Sequence, residues 1–193
     1  MQPRNILVAI TSASGVIFAY KFLKILRKFP DIRIHLILSK NSLITLKHEL
    51  SLRAEDLYKL ADSYYVNNDI SSAVASGTAN IDDMVIIPAS ISTMSKISYS
   101  ISDNLIARSA DVILKDKKRL IICLRETPLH SLHLKALIRL SEAGGVIYPI
   151  VPTFYHKPQN IDDIVIQYCA KLLELLKIDN EIIYRWSGIK DSQ

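Results

Sequence analysis

The stretch ILVAITSASGVIFAYKFLKIL, residues 6–26, decides the fold. Its first five residues are apolar without alternation, the pattern of a short strand buried on both faces. TSASG follows at 11–15, and from there Val16, Ile17, Tyr20, Leu23 and Leu26 recur at helical spacing until Pro30 ends the run. Strand, small-residue turn and helix make the first half of a βαβ unit. Ser and Gly leave the N–H groups of the turn unshielded, and a helix start adds partial positive charge, so the turn suits an anion. Without a ligand it reads as a plain βα turn with Ser14 as the helix N-cap. Gly15 is its only glycine, and neither G-x-G-x-x-G nor the Walker-type phosphate loop occurs in the chain.

Outward from this unit the alternation continues. Apolar runs at 5–10, 32–38, 84–88, 120–124 and 146–151 read as buried strands separated by helical segments. Five such strands predict a doubly wound parallel sheet covered on both faces. Residues 53–80 are less regular, with a short helix over RAEDLYKLAD and then a Ser- and Asn-rich stretch looping around another short strand. The Ser-rich segment 90–117 divides into two helices at Ser102, Asp103 and Asn104, a capping sequence. The last helix, IDDIVIQYCAKLLELLK, follows Asn160 as cap and carries acids in its first turn. Residues 1–178 are expected to form one domain and 179–193 a tail that docks on a neighbouring subunit through Trp186.

The chain of 193 residues is long enough to bury a proper core. It is 49% hydrophobic against 22% charged, which leaves apolar surface for subunit contacts. No apolar stretch approaches the roughly 18 residues of a membrane span, and because MQPRN runs straight into a strand pattern no signal peptide is expected. Cys123 and Cys169 form neither a metal spacing nor a disulfide framework, so a reducing cytoplasm is the expected location. The net charge of +5 points to an anionic partner. Its densest run, KDKKR at 115–119, falls at a predicted helix end, where cations complement the dipole, and no aromatic residues interleave it. Anionic metabolites are therefore expected as ligands rather than nucleic acid.

Ligands of a doubly wound sheet sit at the carboxyl ends of its strands. TSASG, SKN, PASIST, RETP and PTFYHKP follow the five predicted strands, so these loops should gather at one edge. They are rich in hydroxyls and carry Arg125, Glu126, Tyr155 and His156, a collection suited to a phosphorylated ligand. Together with DNLIARSADVILK, RETPLH, PTFYHKPQ and a closing RW, these blocks resemble the flavin prenyltransferases, the UbiX-like family, in order from Ile6 to Trp186. The resemblance implies a flavodoxin-like or Rossmann-like fold. It also implies transfer of a dimethylallyl group from dimethylallyl phosphate to N5 and C6 of reduced FMN, with release of phosphate. The product, prenylated FMN, would serve a partner decarboxylase, and the chains would assemble as trimers into a homododecamer.

Carried over residue by residue, the resemblance places FMN at Ser12, Ala13 and Ser14, at Ser39, at Ser90, Ile91, Ser92 and Thr93, and at Arg125. It gives Tyr155 and Lys171 to dimethylallyl phosphate and Arg108 and Lys115 to further phosphate contacts, and it places Glu49, Glu126 and Trp186 beside Ser14 in the active site. Ser12, Ala89, Ser92 and Lys171 depart from the family's commoner Gly, Cys, Gly and Arg; Lys171 keeps the charge without the bidentate fork.

The same residues have readings of their own. Arg108 and Lys115, seven positions apart, lie within about 20° of each other on a helix, so both can face one anion. With Asp111 between them they equally form a solvated stripe. Lys171 belongs to a polar stripe with Asp163, Gln167 and Glu174, and Glu126 beside Arg125 is either a structural ion pair or a catalytic carboxylate. His130 and His133 have helical spacing but no third metal ligand in view. Departure of an allylic phosphate calls for cations and hydroxyls around the leaving group, which Arg, Lys, Tyr and Ser supply. The DDxxD cluster that would hold Mg²⁺ on a diphosphate is absent, so a monophosphate donor without metal is expected. Glu126, Glu49 or the phosphate itself can take the proton lost on ring closure. Two other functions suit such a fold. One is an FMN-dependent cysteine decarboxylase, whose PxMNxxMW clamp this chain lacks; the other is a noncatalytic flavin-binding subunit, which has no need of Arg125, Glu126, Tyr155 and Lys171.

Overall fold

The computed structural model describes residues 2–188 and builds one all-parallel sheet from six strands. These are β1 (Arg4–Ile10), β2 (Ile32–Leu38), β3 (Ser63–Val66), β4 (Asp83–Ala89), β5 (Arg119–Leu124) and β6 (Val146–Ile147), in the order β3-β2-β1-β4-β5-β6. This is the Rossmann order, with its topological switch point between β1 and β4. β1 pairs with β2 from Arg4–Ile32 to Ile10–Leu38 and with β4 from Ile6–Asp83 to Ala9–Ile86. Ile6 through Ile10 consequently lose all exposure, which is why they read as an unbroken apolar run.

Seven helices accompany the sheet among the described residues: α1 (Val16–Leu26), α2 (Lys40–Leu50), α3 (Ala54–Tyr58), α4 (Ile91–Ser98), α5 (Leu105–Lys115), α6 (Ser131–Glu142) and α7 (Ile161–Leu175). α1 buries Val16, Ala19, Phe22, Leu23 and Leu26. Leu7, Ala9, Ile37, Met84, Ile86 and Ile122 of the strands share one core cluster with Met94 and Ile97 of α4, Ile106 and Ala110 of α5, and Leu140 of α6. Each fully buried Leu, Ile or Met side chain there contributes about 1.5–3 kcal/mol of transfer free energy. Asn104 and Asn160 cap α5 and α7 as expected, accepting from the N–H groups of Ala107 and Asp163 at 3.0 Å each.

The irregular stretch 53–80 resolves into α3, the edge strand β3 and two short 3-10 turns. The strand expected over 146–151 pairs only at Val146 and Ile147. The chain stays beside β5 as far as Ile150, whose N–H donates to Leu124 O at 2.8 Å, but Pro149 and Pro152 have no N–H for a ladder. The chain divides into two compact units: one ends at Ile150 and holds the whole sheet, while the other begins at Val151 and holds α7 with the residues after it. The expected tail from 179 thus shares a unit with α7, and its positions 189–193 lie outside the described residues. No described helix is long and apolar enough to cross a membrane.

Candidate active site

The turns after β1, β2, β4 and β5 leave the same carboxyl edge of the sheet. At the switch point Thr11 ties two of them together: its Oγ1 donates to Pro88 O at 2.8 Å and accepts from Ser90 N–H at 2.7 Å. Thr11 is buried, and a hydroxyl directly after the apolar run Ile6–Ile10 is the only trace of this role in the sequence. Ser90 caps α4, accepting from Thr93 N–H at 3.3 Å and donating to Thr93 Oγ1 at 3.1 Å. Ser39 caps α2 by accepting from Ser42 N–H at 3.2 Å. Two helix starts therefore open at this edge behind serine caps, and such starts favour anions. Ser12, Ser14 and Ser92 are exposed and their hydroxyls hydrogen-bond to no protein group among the described residues, whereas Ala13 is buried and Ile91 half-buried.

The TSASG turn already holds an anion of the chain's own. Glu49, in the last turn of α2, accepts through Oε2 from Gly15 N–H at 2.9 Å and Val16 N–H at 3.0 Å, and through Oε1 from Gly15 N–H at 3.2 Å. A carboxylate thus sits where the α1 dipole favours negative charge. The expected Ser14 cap is replaced: Gly15 is the N-cap, with φ of 94° and no side-chain cap bond. That left-handed backbone suits glycine, and a Cβ there would meet the Phe18 ring at 3.4 Å. Nothing local in the sequence signals the contact, because only the pairing of β1 with β2 brings Glu49 back to the turn.

Arg125 emerges beyond β5 with its N–H donating to Ala89 O at 3.1 Å. It is exposed and pairs with no acid among the described residues, its neighbour Glu126 included. Glu126 Oε1 instead accepts from Thr127 N–H at 3.0 Å. α5 starts beside Asn67, just past the end of β3, where Leu105 N–H meets Asn67 O at 2.8 Å and Ile106 N–H meets Asn67 Oδ1 at 3.0 Å. Its last residue, Lys115, lies toward the start of β5 and pairs with Asp116 at 3.5 Å. Arg108 donates to Ala75 O at 3.2 Å and to Asp111 at 3.4 Å. Arg108 and Lys115 thus have different acidic partners within the chain. The His130 and His133 rings have centroids 3.4 Å apart and are tilted by 30°, and no group of three metal-ligating side chains exists among the described residues.

The flavoprotein family model matches residues 1–174. The flavin prenyltransferase LpdB of Lactiplantibacillus plantarum is 42% identical over 185 residues, which cover 96% of this chain and 99% of that one. The chain belongs to the UbiX-like flavin prenyltransferases. The crystal structure of AnUbiX in complex with FMN and dimethylallyl pyrophosphate matches with a TM-score of 0.95 at 36% identity, covering 98% of this chain and 100% of that one. A dodecameric FMN-dependent UbiX-like decarboxylase from Escherichia coli O157:H7 matches at 0.93 and 33% identity, over 95% and 100% of the two chains.

The second unit of this flavin prenyltransferase carries three further predicted residues, Tyr155, Lys171 and Trp186. The Tyr155 ring lies 5.9 Å from that of Tyr184 and 6.1 Å from that of Trp186, and both Tyr155 and Trp186 keep substantial exposure. Lys171 Nζ donates to Glu174 Oε2 at 2.9 Å, and Arg185 Nη2 donates to Glu174 Oε1 at 2.7 Å. The Lys171 hydrogen bond is the main cause holding the Glu174 carboxyl below its ordinary range. Gln167 does not follow the polar stripe expected for it: it is buried, with Oε1 accepting from Tyr184 N–H at 2.9 Å. Its Nε2 donates to Tyr184 O at 3.0 Å and to the Tyr155 hydroxyl at 3.2 Å. The return of the chain after α7 buries a position that helical spacing alone assigns to solvent.

Proposed function

We propose that this protein transfers a dimethylallyl group from dimethylallyl phosphate to N5 and C6 of reduced FMN, giving prenylated FMN for a partner decarboxylase. One observation carries the reading: the carboxyl edge presents open hydroxyls at Ser12, Ser14 and Ser92, a Ser90-capped helix start, and an exposed Arg125 with no acid paired to it among the described residues. Such a set fits FMN, whose phosphate and carbonyl oxygens need donors and a cation. Ser12, Ala13, Ser14, Ser39, Ser90, Ile91, Ser92, Thr93 and Arg125 would hold it. The reduced flavin, when bound, supplies the nitrogen and ring carbon that accept the allyl group.

The chain's own residues do the rest. Tyr155 and Lys171 bind the donor's phosphate, where a hydroxyl and an ammonium stabilise the charge that gathers on the leaving oxygen as the allylic C–O bond breaks. Glu49, fixed on Gly15 and Val16, keeps the first turn in shape and places a carboxylate on the residue that follows Ser14. Glu126 keeps Oε2 clear of protein hydrogen bonds among the described residues, so it is the carboxylate with an oxygen free to take the proton released on ring closure. Arg108, Lys115 and Trp186 complete a site shared between copies of the chain in a dodecamer built from trimers. The exposed Leu132, Leu134 and Ile138 of α6 favour such an assembly.

The test is anaerobic incubation with reduced FMN and dimethylallyl phosphate, followed by mass spectrometry of the flavin. A gain of one prenyl unit is expected, and dimethylallyl pyrophosphate in a parallel reaction tells which donor is used. Unchanged flavin from a folded sample overturns the reading; release of CO₂ from a peptidyl cysteine would replace it with a cysteine decarboxylase.

A further inference from the structure

We propose that Gln167 is a positioning residue of the donor site, holding the Tyr155 hydroxyl so that its proton points toward the donor's phosphate. The inference rests on Tyr155 being a phosphate ligand. The orientation of a side-chain amide is decided by its partners. Here the partner is a backbone: Tyr184 N–H can only donate, so the amide end that meets it at 2.9 Å is Oε1. The other end is then Nε2, with one hydrogen for Tyr184 O at 3.0 Å and a second for the Tyr155 hydroxyl at 3.2 Å. Tyr155 therefore accepts from Gln167, and its single O–H proton remains to be donated elsewhere. Gln167 is 5% exposed and Tyr155 42%, so one side of the phenol oxygen is fixed inside the unit while the ring stays accessible.

The same amide grips the backbone two residues before Trp186, whose ring lies 6.1 Å from that of Tyr155. Helix α7, the donor phenol and the segment carrying Trp186 are thus joined through one side chain. A buried amide with three satisfied bonds is rigid, and losing its donor end leaves a desolvated group behind.

Gln167→Glu keeps the shape and still accepts from Tyr184 N–H, but it cannot donate and instead captures the Tyr155 proton. The KM for dimethylallyl phosphate is expected to rise about tenfold with FMN affinity unchanged within about twofold. Gln167→Met, of similar length and without strong polar groups, should raise that KM and also shift the fluorescence of Trp186, the chain's only tryptophan. In a Tyr155→Phe background Gln167→Glu should add little, because the hydroxyl it acts through is gone. A wild-type donor KM in both Gln167 variants, with Tyr155→Phe raising it, overturns the positioning role and leaves Tyr155 as a phosphate ligand. A wild-type KM in Tyr155→Phe overturns both. Should Gln167→Glu fail to fold, Gln167→Met decides: unchanged Trp186 emission together with unchanged KM sinks the inference.

Discussion

The two edges of the sheet are finished in opposite ways. At the amino edge three strand-leading residues meet, Asp83 taking Arg4 at 2.7 Å and Arg119 at 3.0 Å. Next to them Asp82 accepts from Asn5 N–H at 2.7 Å, and Asp62 accepts from Ile34 N–H and from Arg27 at 2.8 Å each. Burial pushes the Asp62 carboxyl up, but the Ile34 N–H and Arg27 outweigh it and hold it below the ordinary carboxylate range. At the carboxyl edge Arg125 lacks an acidic partner among the described residues, and Ser12, Ser14 and Ser92 leave their hydroxyls open. Polar groups satisfied by the chain itself hold the strand ends together, whereas polar groups left open recruit a ligand.

The largest test of that contrast is Asp83→Ala. The Asp83 side chain is 4% exposed, and burial pushes its carboxyl above the ordinary range against the pull of the two guanidiniums. Such a triad is no better than a well-packed apolar filling, but removing its centre takes away the buried carboxylate that Arg4 and Arg119 share. A loss of about 3 kcal/mol in urea unfolding is expected, with FMN affinity of the folded protein unchanged. Weakened FMN binding in a fully folded sample would break the division of labour between the edges.

Arg125→Ala is the converse, with a smaller effect. Losing one charge-assisted phosphate contact should weaken FMN binding by about 1.5–3 kcal/mol, roughly ten- to a hundredfold. Stability should stay within about 0.5 kcal/mol, because an exposed side chain without an ion pair contributes little to folding. Titration of the apoprotein with FMN beside urea unfolding separates the two, and unchanged FMN affinity would move the flavin away from β5.

How far these edges are legible in the sequence follows from the same physics. The strand cores announce themselves because a parallel strand buried on both faces must be apolar throughout, as Ile6–Ile10 and Leu120–Leu124 are. The caps Asn104 and Asn160 are legible because capping is local. What escapes is long-range. Glu49 reaches Gly15 across 34 positions, and Asp83 collects cations from two other strands. Gln167 has the spacing of a solvated residue and is buried only because the chain returns to Tyr184. Thr11 is hidden by its setting, a single hydroxyl just past the apolar run of β1.

The smallest effect probes how completely the amino half is satisfied. His35 of β2 sits between Asn5 Oδ1, 3.2 Å from its Nε2, and the Tyr65 hydroxyl, 3.0 Å from its Nδ1. A neutral imidazole fits this pair, donating to one oxygen and accepting from the other. Burial is the main cause pushing the His35 pKa below its ordinary value; Asp62 pulls it up and Arg33 pushes it further down. The sign follows from linkage. Above about pH 6.5 the imidazole is neutral in both folded and unfolded chains, and its contribution to stability is complete. As the pH falls below that value the unfolded chain takes up a proton that the folded one refuses, so stability declines until the folded group titrates as well. His35→Gln keeps a donor and an acceptor without titrating, so the stabilities of the two proteins should diverge in slope only below about pH 6.5. The chain's four other histidines cancel in that difference. FMN affinity should remain parallel in the two proteins over the same range, because His35 belongs to the half of the sheet that the chain satisfies for itself; identical stability slopes would mean that the folded imidazole takes its proton as readily as the unfolded one.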